Sequence, residues 1–189
     1  TWHANDMVVD GNGRAYVGNF GFDFGRGEAL RVARLARVDP DGSVVVAADD
    51  LLFPNGAVIS PDSRSMVIAE TYGERLTAFD VEEDGALTNR RVFANLEGIS
   101  PDGICLDAEG AIWVAAANTG EVIRVSPDGE ITDRAPTGHR RAVACALGGE
   151  DRRTLYVCCV PGLDPVRNAR DRAAEIQQLV VEVPGAGFP

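Results

Sequence analysis

The chain has 189 residues, 45% of them hydrophobic, and its 18 basic and 29 acidic residues give a formal net charge of −11. Every Lys/Arg position is an arginine, and the arginines are scattered, so the clustered basic surface that nucleic acid requires is absent and no nucleic-acid partner is expected. No apolar run approaches the roughly 20 residues of a bilayer-spanning helix, so no membrane partner is expected either.

The four cysteines do not follow a metal-binding or disulfide pattern. Cys105, Cys145, Cys158 and Cys159 form no C-x-x-C pair, and the adjacent Cys158 and Cys159 fall on opposite faces of a strand. The spacing predicts free, mostly buried thiols in a reducing compartment, and therefore a cytoplasmic protein.

Short runs of β-branched, Ala and aromatic residues between Gly, Pro, Asp and Asn clusters predict strands and almost no helix. The first two rounds of four strands cover 7–9, 15–19, 34–38, 44–48, 57–59, 65–70, 75–81 and 90–95. A third round of four and a final round of three cover 104–106, 111–117, 121–125, 131–135, 142–147, 154–160 and 175–183. Asp-Gly pairs at 41–42, 84–85 and 128–129 predict hairpin turns between the third and fourth strands.

The rounds align on their first strands, which places Asn5, Asn55, Asp102 and Ala142 in register at intervals of 50, 47 and 40 residues. A four-stranded unit with this period is typical of a β-propeller blade. An immunoglobulin-like sandwich is the rival all-β interpretation, but it predicts no internal repeat. The sequence therefore predicts an all-β propeller with about four blades in this chain.

Three complete rounds and one three-stranded round would leave a propeller ring open. The chain also begins at Thr1 without a Met. We expect residues 1–189 to form a single propeller domain that lacks its N-terminal blades, with truncation or a companion segment as the two explanations. A role for Thr1 as an N-terminal nucleophile is a less economical alternative.

Two long segments interrupt the repeat, at residues 20–32 and 161–174. Each is either a surface loop or a lid over one end of the channel, because long loops in compact domains are often functional. The second has a pattern that permits a short helix.

Polar residues stand directly before the predicted innermost strands, in Pro54-Asn55-Gly56 and Pro101-Asp102-Gly103, and Asn5-Asp6 occupies the same place. Innermost strands line a propeller channel, so these residues would converge as oxygen ligands for a hard cation. Asn-Gly and Asp-Gly are also ordinary turn signals, and the pattern alone does not decide between the two interpretations.

Several linked motifs resemble the regucalcin/gluconolactonase family, also called the senescence marker protein and luciferin-regenerating enzyme family. They are N-D-M-V-V-D-G-N-G-R-A-Y-V-G-N-F from Asn5, P-N-G-A-V-I-S-P-D from Pro54, P-D-G-I-C-L-D-A-E-G-A-I-W-V-A from Pro101, and the terminal V-P-G-A-G. The resemblance implies a six-bladed propeller that holds one divalent cation in its channel and, in many members, hydrolyses small-molecule lactones.

By this resemblance Asn55 and Asp102 are metal ligands, Asp102 is also the catalytic base, and Asn5, His3 and Asp23 contact the substrate. The third family ligand is a Glu in a blade that this chain lacks, and His3 stands where many members carry an Arg. The implied cofactor is Ca²⁺, with Zn²⁺, Mn²⁺ or Mg²⁺ as alternatives, and it would polarise the lactone carbonyl that water attacks. A non-enzymatic calcium-binding or ligand-binding propeller is the alternative function.

Overall fold

A computed structural model describes residues 3–187, so Thr1 lies outside the described residues. These residues form four antiparallel sheets, which we call blades I to IV. Blade I comprises β1 (Ala4–Val9), β2 (Ala15–Asn19), β3 (Ala33–Val38) and β4 (Val44–Leu51), and blade II comprises β5 (Pro54–Ile59), β6 (Ser65–Glu70), β7 (Arg75–Val81) and β8 (Leu87–Asn95). Blade III comprises β9 (Pro101–Leu106), β10 (Ile112–Ala116), β11 (Glu121–Val125) and β12 (Ile131–Pro136), and blade IV comprises β13 (Arg141–Gly148), β14 (Thr154–Val160) and β15 (Glu175–Val180).

The strands of each blade lie in chain order, and each pairs with the strand that follows it. The first strands β1, β5, β9 and β13 lie side by side at the inner edges of the blades. This arrangement is a β-propeller, and it confirms the prediction of about four blades made from the repeat.

The hydrophobic core is divided into three layers, one between each pair of adjacent blades. Period-2 alternation explains this division, because successive side chains of a strand face opposite neighbours. Tyr16 and Met66 are fully buried between blades I and II, Leu76 and Ile123 between blades II and III, and Leu155 between blades III and IV. The core therefore stabilises the order of the blades as well as each blade.

The local turn predictions are confirmed at the outer edges of the blades. Gly42, Gly85 and Gly129 have φ of 84°, 81° and 85°, which glycine adopts without a Cβ clash. The segment 161–174 contains the expected short helix, α1 (Pro165–Asp171), whose N-cap Asp164 accepts the backbone N–H groups of Val166 and Arg167.

All four cysteines are free, and Cys158 is exposed while the other three are buried, as their spacing predicts. The Sγ atoms of Cys105 and Cys145 lie 3.7 Å apart between blades III and IV. Within residues 3–187 no helix has the length and apolar character needed to traverse a bilayer.

The two terminal blades expose apolar side chains on the faces that have no neighbouring blade among the described residues. On blade I these residues are Met7, Val9, Val44 and Val46, and on blade IV they are Tyr156, Ile176 and Val180. The corresponding faces of the inner blades are buried against neighbouring blades, so apolar exposure is concentrated on these two faces.

Candidate active site

Each innermost strand carries a β-bulge at the same place. The irregularity falls between Ala4 and Met7 in β1, Pro54 and Ala57 in β5, Pro101 and Ile104 in β9, and Ala142 and Ala144 in β13. The register thus confirms that Asn5, Asn55, Asp102 and Ala142 are equivalent positions.

One sequence-based expectation is wrong here. Asn55 and Asp102 were predicted to precede their strands, but β5 begins at Pro54 and β9 at Pro101, so both residues lie within strands. Asn-Gly and Asp-Gly are bulge residues at these sites, and not hairpin turns. A bulge inserts an extra residue and redirects side chains, which is why bulges are frequent near functional sites.

Gly56 allows the two proposed ligands to approach each other. A Cβ at this position would lie 2.6 Å from the backbone nitrogen of Ile104 and 2.7 Å from the carbonyl oxygen of Asp102. Real Cβ atoms do not approach backbone so closely, so any larger residue would push β5 away from β9. Gly56 is therefore required for the close approach of β5 to β9, the strands that carry Asn55 and Asp102.

We expect Gly56→Ala to lower the free energy of unfolding by about 2 kcal/mol, because the added methyl forces adjacent blades apart. Urea denaturation measures this change. Gly162→Ala is the matched control, since nothing lies within 4 Å of a Cβ there, and it should shift the free energy by less than about 0.5 kcal/mol. Equal effects of the two substitutions would contradict the close-approach explanation.

Hydrogen bonds connect the bulges from blade to blade. The Asn5 amide donates to the carbonyl of Pro54 at 3.2 Å, which joins blades I and II. The buried Asn55 amide donates to the Thr71 hydroxyl at 3.1 Å, and that hydroxyl donates to the carbonyl of Pro101 at 2.8 Å, which joins blades II and III. The side chains of Asn5 and Asn55 are thus held in fixed positions without a ligand.

Asp102 and Asp6 are the acidic groups of the site. Burial, together with the nearby Asp6 charge, raises the pKa of Asp102 to about 7, although hydrogen bonds from the Asn55 side chain and the Gly103 backbone oppose the rise. Asp6 is accessible from the channel, yet surrounding protein atoms displace enough water to raise its pKa as well. Because the charge of Asp6 raises the pKa of Asp102, a cation bound near both carboxyl groups would relieve their repulsion.

His3 lies at the edge of the same end of the propeller. Its backbone carbonyl accepts the N–H of Phe20, and the His3 and Phe20 rings meet edge to face with centroids 6.3 Å apart. His3 itself is exposed. His3 thus precedes the bulge of β1 by two residues and has an exposed side chain.

Asp23 is buried, and its carboxylate is already engaged within the loop 20–32. It accepts the backbone N–H of Arg26 at 3.1 Å and lies 3.5 Å from the Arg26 guanidinium, while the Asp23 N–H donates to Glu28. These contacts close the 3-10 turn of the loop. Asp23 therefore helps to determine the shape of the loop.

The connector before Asn55 is strained and firmly anchored. Asp50 and Phe53 have φ of 53° and 60°, values that non-glycine residues rarely adopt. The fully buried Glu70 accepts the Leu52 N–H at 2.7 Å and forms an ion pair with Arg75 at 2.9 Å. These contacts determine where the following Pro54 and Asn55 begin the innermost strand.

Two residues near the site, Asp6 and Thr71, were given no functional role from the sequence. Asp6 follows Asn5 directly, and strict alternation would place it on the opposite face; only the bulge brings both to the channel. Thr71 links the Asn55 amide to the backbone carbonyl of Pro101 through its hydroxyl, although nothing in its sequence neighbourhood distinguishes it from other threonines. The sequence did indicate the position of Asp6, because it directly follows Asn5, which aligns with Asn55 in the repeat.

Amide and carboxylate side chains at the inner edges of three successive blades define this chain as a β-propeller with a group of polar residues at one end of its channel. Residues 1–160 match the family described as the SMP-30/Gluconolactonase/LRE-like region. The chain belongs to this family.

Two relatives and one solved structure illustrate the similarity. The chain is 35% identical over 156 residues to a 6-deoxy-6-sulfogluconolactonase of Pseudomonas putida and 35% identical over 158 residues to a regucalcin of Danio rerio, in both cases over 81% of this chain and 52% of the relative. The crystal structure of a calcium-binding protein, regucalcin, from Agrobacterium tumefaciens superimposes with a TM-score of 0.80 at 25% identity, covering 98% of this chain and 63% of that one. The chain thus spans about half the length of the curated relatives it matches.

Proposed function

We propose that this chain supplies the metal-binding and substrate-binding residues of a divalent-metal-dependent lactone hydrolase. Asn55 and Asp102 are the proposed metal ligands, Asp102 is the proposed base, and Asn5 and His3 are the proposed substrate contacts. Asp23, in the loop 20–32, is a further proposed substrate contact. The observation that carries the proposal is the convergence of Asn5, Asn55 and Asp102 on equivalent bulges of adjacent innermost strands.

The donor set fits a hard divalent cation. Carboxylate and amide oxygens are the ligands that Ca²⁺, Mg²⁺ and Mn²⁺ prefer. The crowding of Asp6 and Asp102 also indicates a site that a cation would stabilise. Within residues 3–187 no three His, Cys, Asp or Glu side chains are grouped so that they could hold a metal ion, so the proposed ligands Asn55 and Asp102 would provide only part of a coordination shell.

In lactone hydrolysis a water oxygen bonds to the carbonyl carbon, the ring C–O bond breaks, and the ring oxygen gains a proton to give a hydroxy acid. A bound cation would polarise the carbonyl oxygen and stabilise the negative charge that develops on it. Asp102 would accept the proton of the attacking water, and Asn5 would orient the lactone ring. The fixed hydrogen bonds of Asn5 and Asn55 favour catalysis, because groups held in place need no reorganisation when the substrate reacts.

The test is hydrolysis of a panel of aldonolactones and of simple γ- and δ-lactones by the full-length protein. Each lactone is assayed with added Ca²⁺, Mn²⁺, Zn²⁺ or Mg²⁺ and after chelation. We expect turnover that chelation removes and the native cation restores. A protein that hydrolyses no lactone with any of these cations would contradict the proposal.

A calcium-binding protein without hydrolase activity is the second candidate. It is favoured by the oxygen-only donors of the site and by the similarity to a structure described as a calcium-binding protein. It predicts saturable Ca²⁺ binding in titration calorimetry with no lactone turnover. The lactone panel and the calorimetry together discriminate the two functions.

We also propose that further blades cover the exposed faces of blades I and IV. Relatives of about twice this length provide enough additional sequence for them, and the exposed Met7, Val9, Ile176 and Val180 form suitable apolar surfaces. Such blades, present in the same polypeptide or in a companion segment, are also the proposed source of the remaining metal ligand. Intact mass spectrometry of the native protein tests whether these blades belong to the same polypeptide or to a companion segment. Cell fractionation tests the proposed cytoplasmic location.

A further inference from the structure

Two buried thiols face each other where blades III and IV meet. Cys105 lies on β9 and Cys145 on β13, the innermost strands of these blades, and their Sγ atoms are 3.7 Å apart. The two residues are 7% and 9% exposed and belong to the apolar layer between the blades. An S–S bond measures about 2.05 Å, so the two sulfur atoms need to close a gap of about 1.7 Å.

The repeat of the propeller creates this pairing. Each thiol stands three residues after the aligned position at the inner edge of its blade, where blades I and II have Val8 and Val58. All four side chains are buried. Equivalent residues of successive innermost strands lie at the same level of the channel, so neighbouring blades bring them together. Cysteine in place of valine in both blade III and blade IV therefore puts two reactive groups side by side.

The backbones of β9 and β13 also approach closely beside the thiols. A Cβ on Gly103 would lie 2.7 Å from the Cα of Ala144. The Cys145 thiol contacts the carbonyl oxygens of Gly103 at 3.6 Å and Trp113 at 3.4 Å. A thiol is a weak hydrogen-bond donor, so little is lost when this sulfur turns toward Cys105. The strands are thus already close enough for a bond between the side chains.

The other two cysteines have a different environment. Cys158 and Cys159 are adjacent in β14, and the first is exposed while the second is buried, because their side chains point to opposite faces. The Cys159 sulfur contacts the carbonyl oxygen of Val157 at 3.7 Å. Among the described residues, Cys105 and Cys145 are the thiols that contact one another.

The pair is protected from casual oxidation. The hydrogen bond with Cys105, together with burial, raises the pKa of the Cys145 thiol. A buried, protonated thiol reacts slowly, so the exposed Cys158 should meet an oxidant first. Disulfides that do form in a reducing compartment are mostly transient and respond to redox conditions.

We propose that Cys105 and Cys145 form a reversible disulfide when a peroxide reaches the protein, and that this bond locks blade III to blade IV. The Cys105 sulfur attacks an oxygen of hydrogen peroxide, the O–O bond breaks, and a sulfenic acid and one water result. The Cys145 sulfur then attacks the Cys105 sulfur, the S–O bond breaks, and the hydroxyl group leaves with the Cys145 proton as a second water. The thiols lose two electrons and two protons in total, and the peroxide takes them up. This inference does not depend on the proposed lactonase function.

Peptide mapping tests the bond directly. The full-length protein is treated with hydrogen peroxide, its remaining thiols are blocked with N-ethylmaleimide in denaturant, and it is digested without reductant for mass spectrometry. We expect two peptides joined through Cys105 and Cys145, about 2 Da lighter than the reduced peptides together because two hydrogen atoms are lost. Dithiothreitol should separate them, and Cys158→Ser should leave the cross-link unchanged.

Thermal unfolding tests the locking of the blades. The disulfide joins residues 40 apart in the chain and so restricts the unfolded state, which should raise Tm by about 5 °C or more. Cys105→Ala and Cys145→Ala should each abolish the shift, whereas the matched control Cys158→Ser should retain it. The peptide map of the wild-type protein needs neither variant, so a variant that fails to fold does not remove the test.

Three results would overturn the proposal. One is oxidation of Cys105 or Cys145 to a sulfinic acid without a cross-link. Another is a cross-link that uses Cys158 or Cys159 in their place, or complete N-ethylmaleimide labelling of Cys105 and Cys145 after peroxide has modified Cys158. The third is a Cys105–Cys145 disulfide that leaves Tm unchanged, which would contradict the locking of the two blades.

Discussion

Asp102→Ala is expected to lower the affinity for the divalent cation by about 100-fold or more and to reduce lactone hydrolysis at least as much. Loss of a residue that merely supports a metal ligand costs about 10- to 100-fold in affinity, and Asp102 is proposed as a direct, charged ligand. Among the aligned positions Asn5, Asn55 and Asp102, it alone carries a formal charge. Calorimetric titration of the metal and steady-state kinetics of the full-length protein measure the two effects.

Asn5→Ala is expected to reduce kcat/KM with a much smaller change in metal affinity, because Asn5 donates to Pro54 and is proposed to orient substrate. Asp128→Ala removes the same charge from an exposed outer turn and serves as the control for net charge. Equal cation affinity in wild type and Asp102→Ala would contradict the assignment of Asp102 as a ligand.

Glu70→Gln is expected to lower the free energy of unfolding by about 3 kcal/mol at pH 7, because it removes the charge that pairs with Arg75 and Arg90 in a buried network. Asp80→Asn is the matched control: Asp80 pairs with Arg91 at 2.7 Å, but both side chains are more than 40% exposed. It should cost less than about 1 kcal/mol. Urea denaturation measures both changes, and equal losses would show that the Glu70 network adds no stability beyond that of a surface ion pair.

The pH dependence of the free energy of unfolding, measured for wild type and Glu70→Gln, gives a second test of the Glu70 network. Burial alone would raise the pKa of Glu70, but hydrogen bonds from Arg75, Thr77 and the Leu52 backbone outweigh it and lower the pKa. A Glu whose pKa is lowered in the folded state stabilises the protein at pH values above its unfolded-state pKa of about 4.3. This stabilisation is lost as the pH falls through the folded-state pKa. The stability difference between wild type and Glu70→Gln should therefore be full at pH 7 and shrink below about pH 4.

Glu70 also connects stability to the proposed site, since it holds the Leu52 N–H just before Phe53 and Asn55. A Glu70→Gln protein studied well below its unfolding temperature should therefore show reduced lactone turnover as well as reduced stability. Asp80→Asn should leave turnover unchanged.

Several features of this protein could be predicted from local sequence. Alternating apolar residues and Asp-Gly pairs determine the conformation of the few residues around them. The strands β6, β7 and β11 and the hairpins at Gly42, Gly85 and Gly129 were therefore predicted correctly. The period of 40 to 50 residues indicated blades, because each blade repeats the same local pattern. The equivalence of Asn5, Asn55 and Asp102 followed from that repeat.

Other features depend on contacts between blades and could not be read locally. Asn55-Gly56 and Asp102-Gly103 form bulges because pairing with the adjacent strands and the close approach of the next blade override their turn propensity. The proximity of Asp6 to Asp102, and the assembly of Phe20, Phe53 and Tyr72 into one surface, join residues from separate blades.

The sequence by itself determined the strand-rich blades, their number in this chain and the residues that align at their inner edges, because those properties depend on hydrophobic periodicity and turn chemistry. The tertiary structure alone decided which side chains share the site, what raises the pKa of Asp102, and that Asp23 closes its own loop. These properties depend on distances between residues far apart in the chain, and such distances follow from how the blades pack against one another.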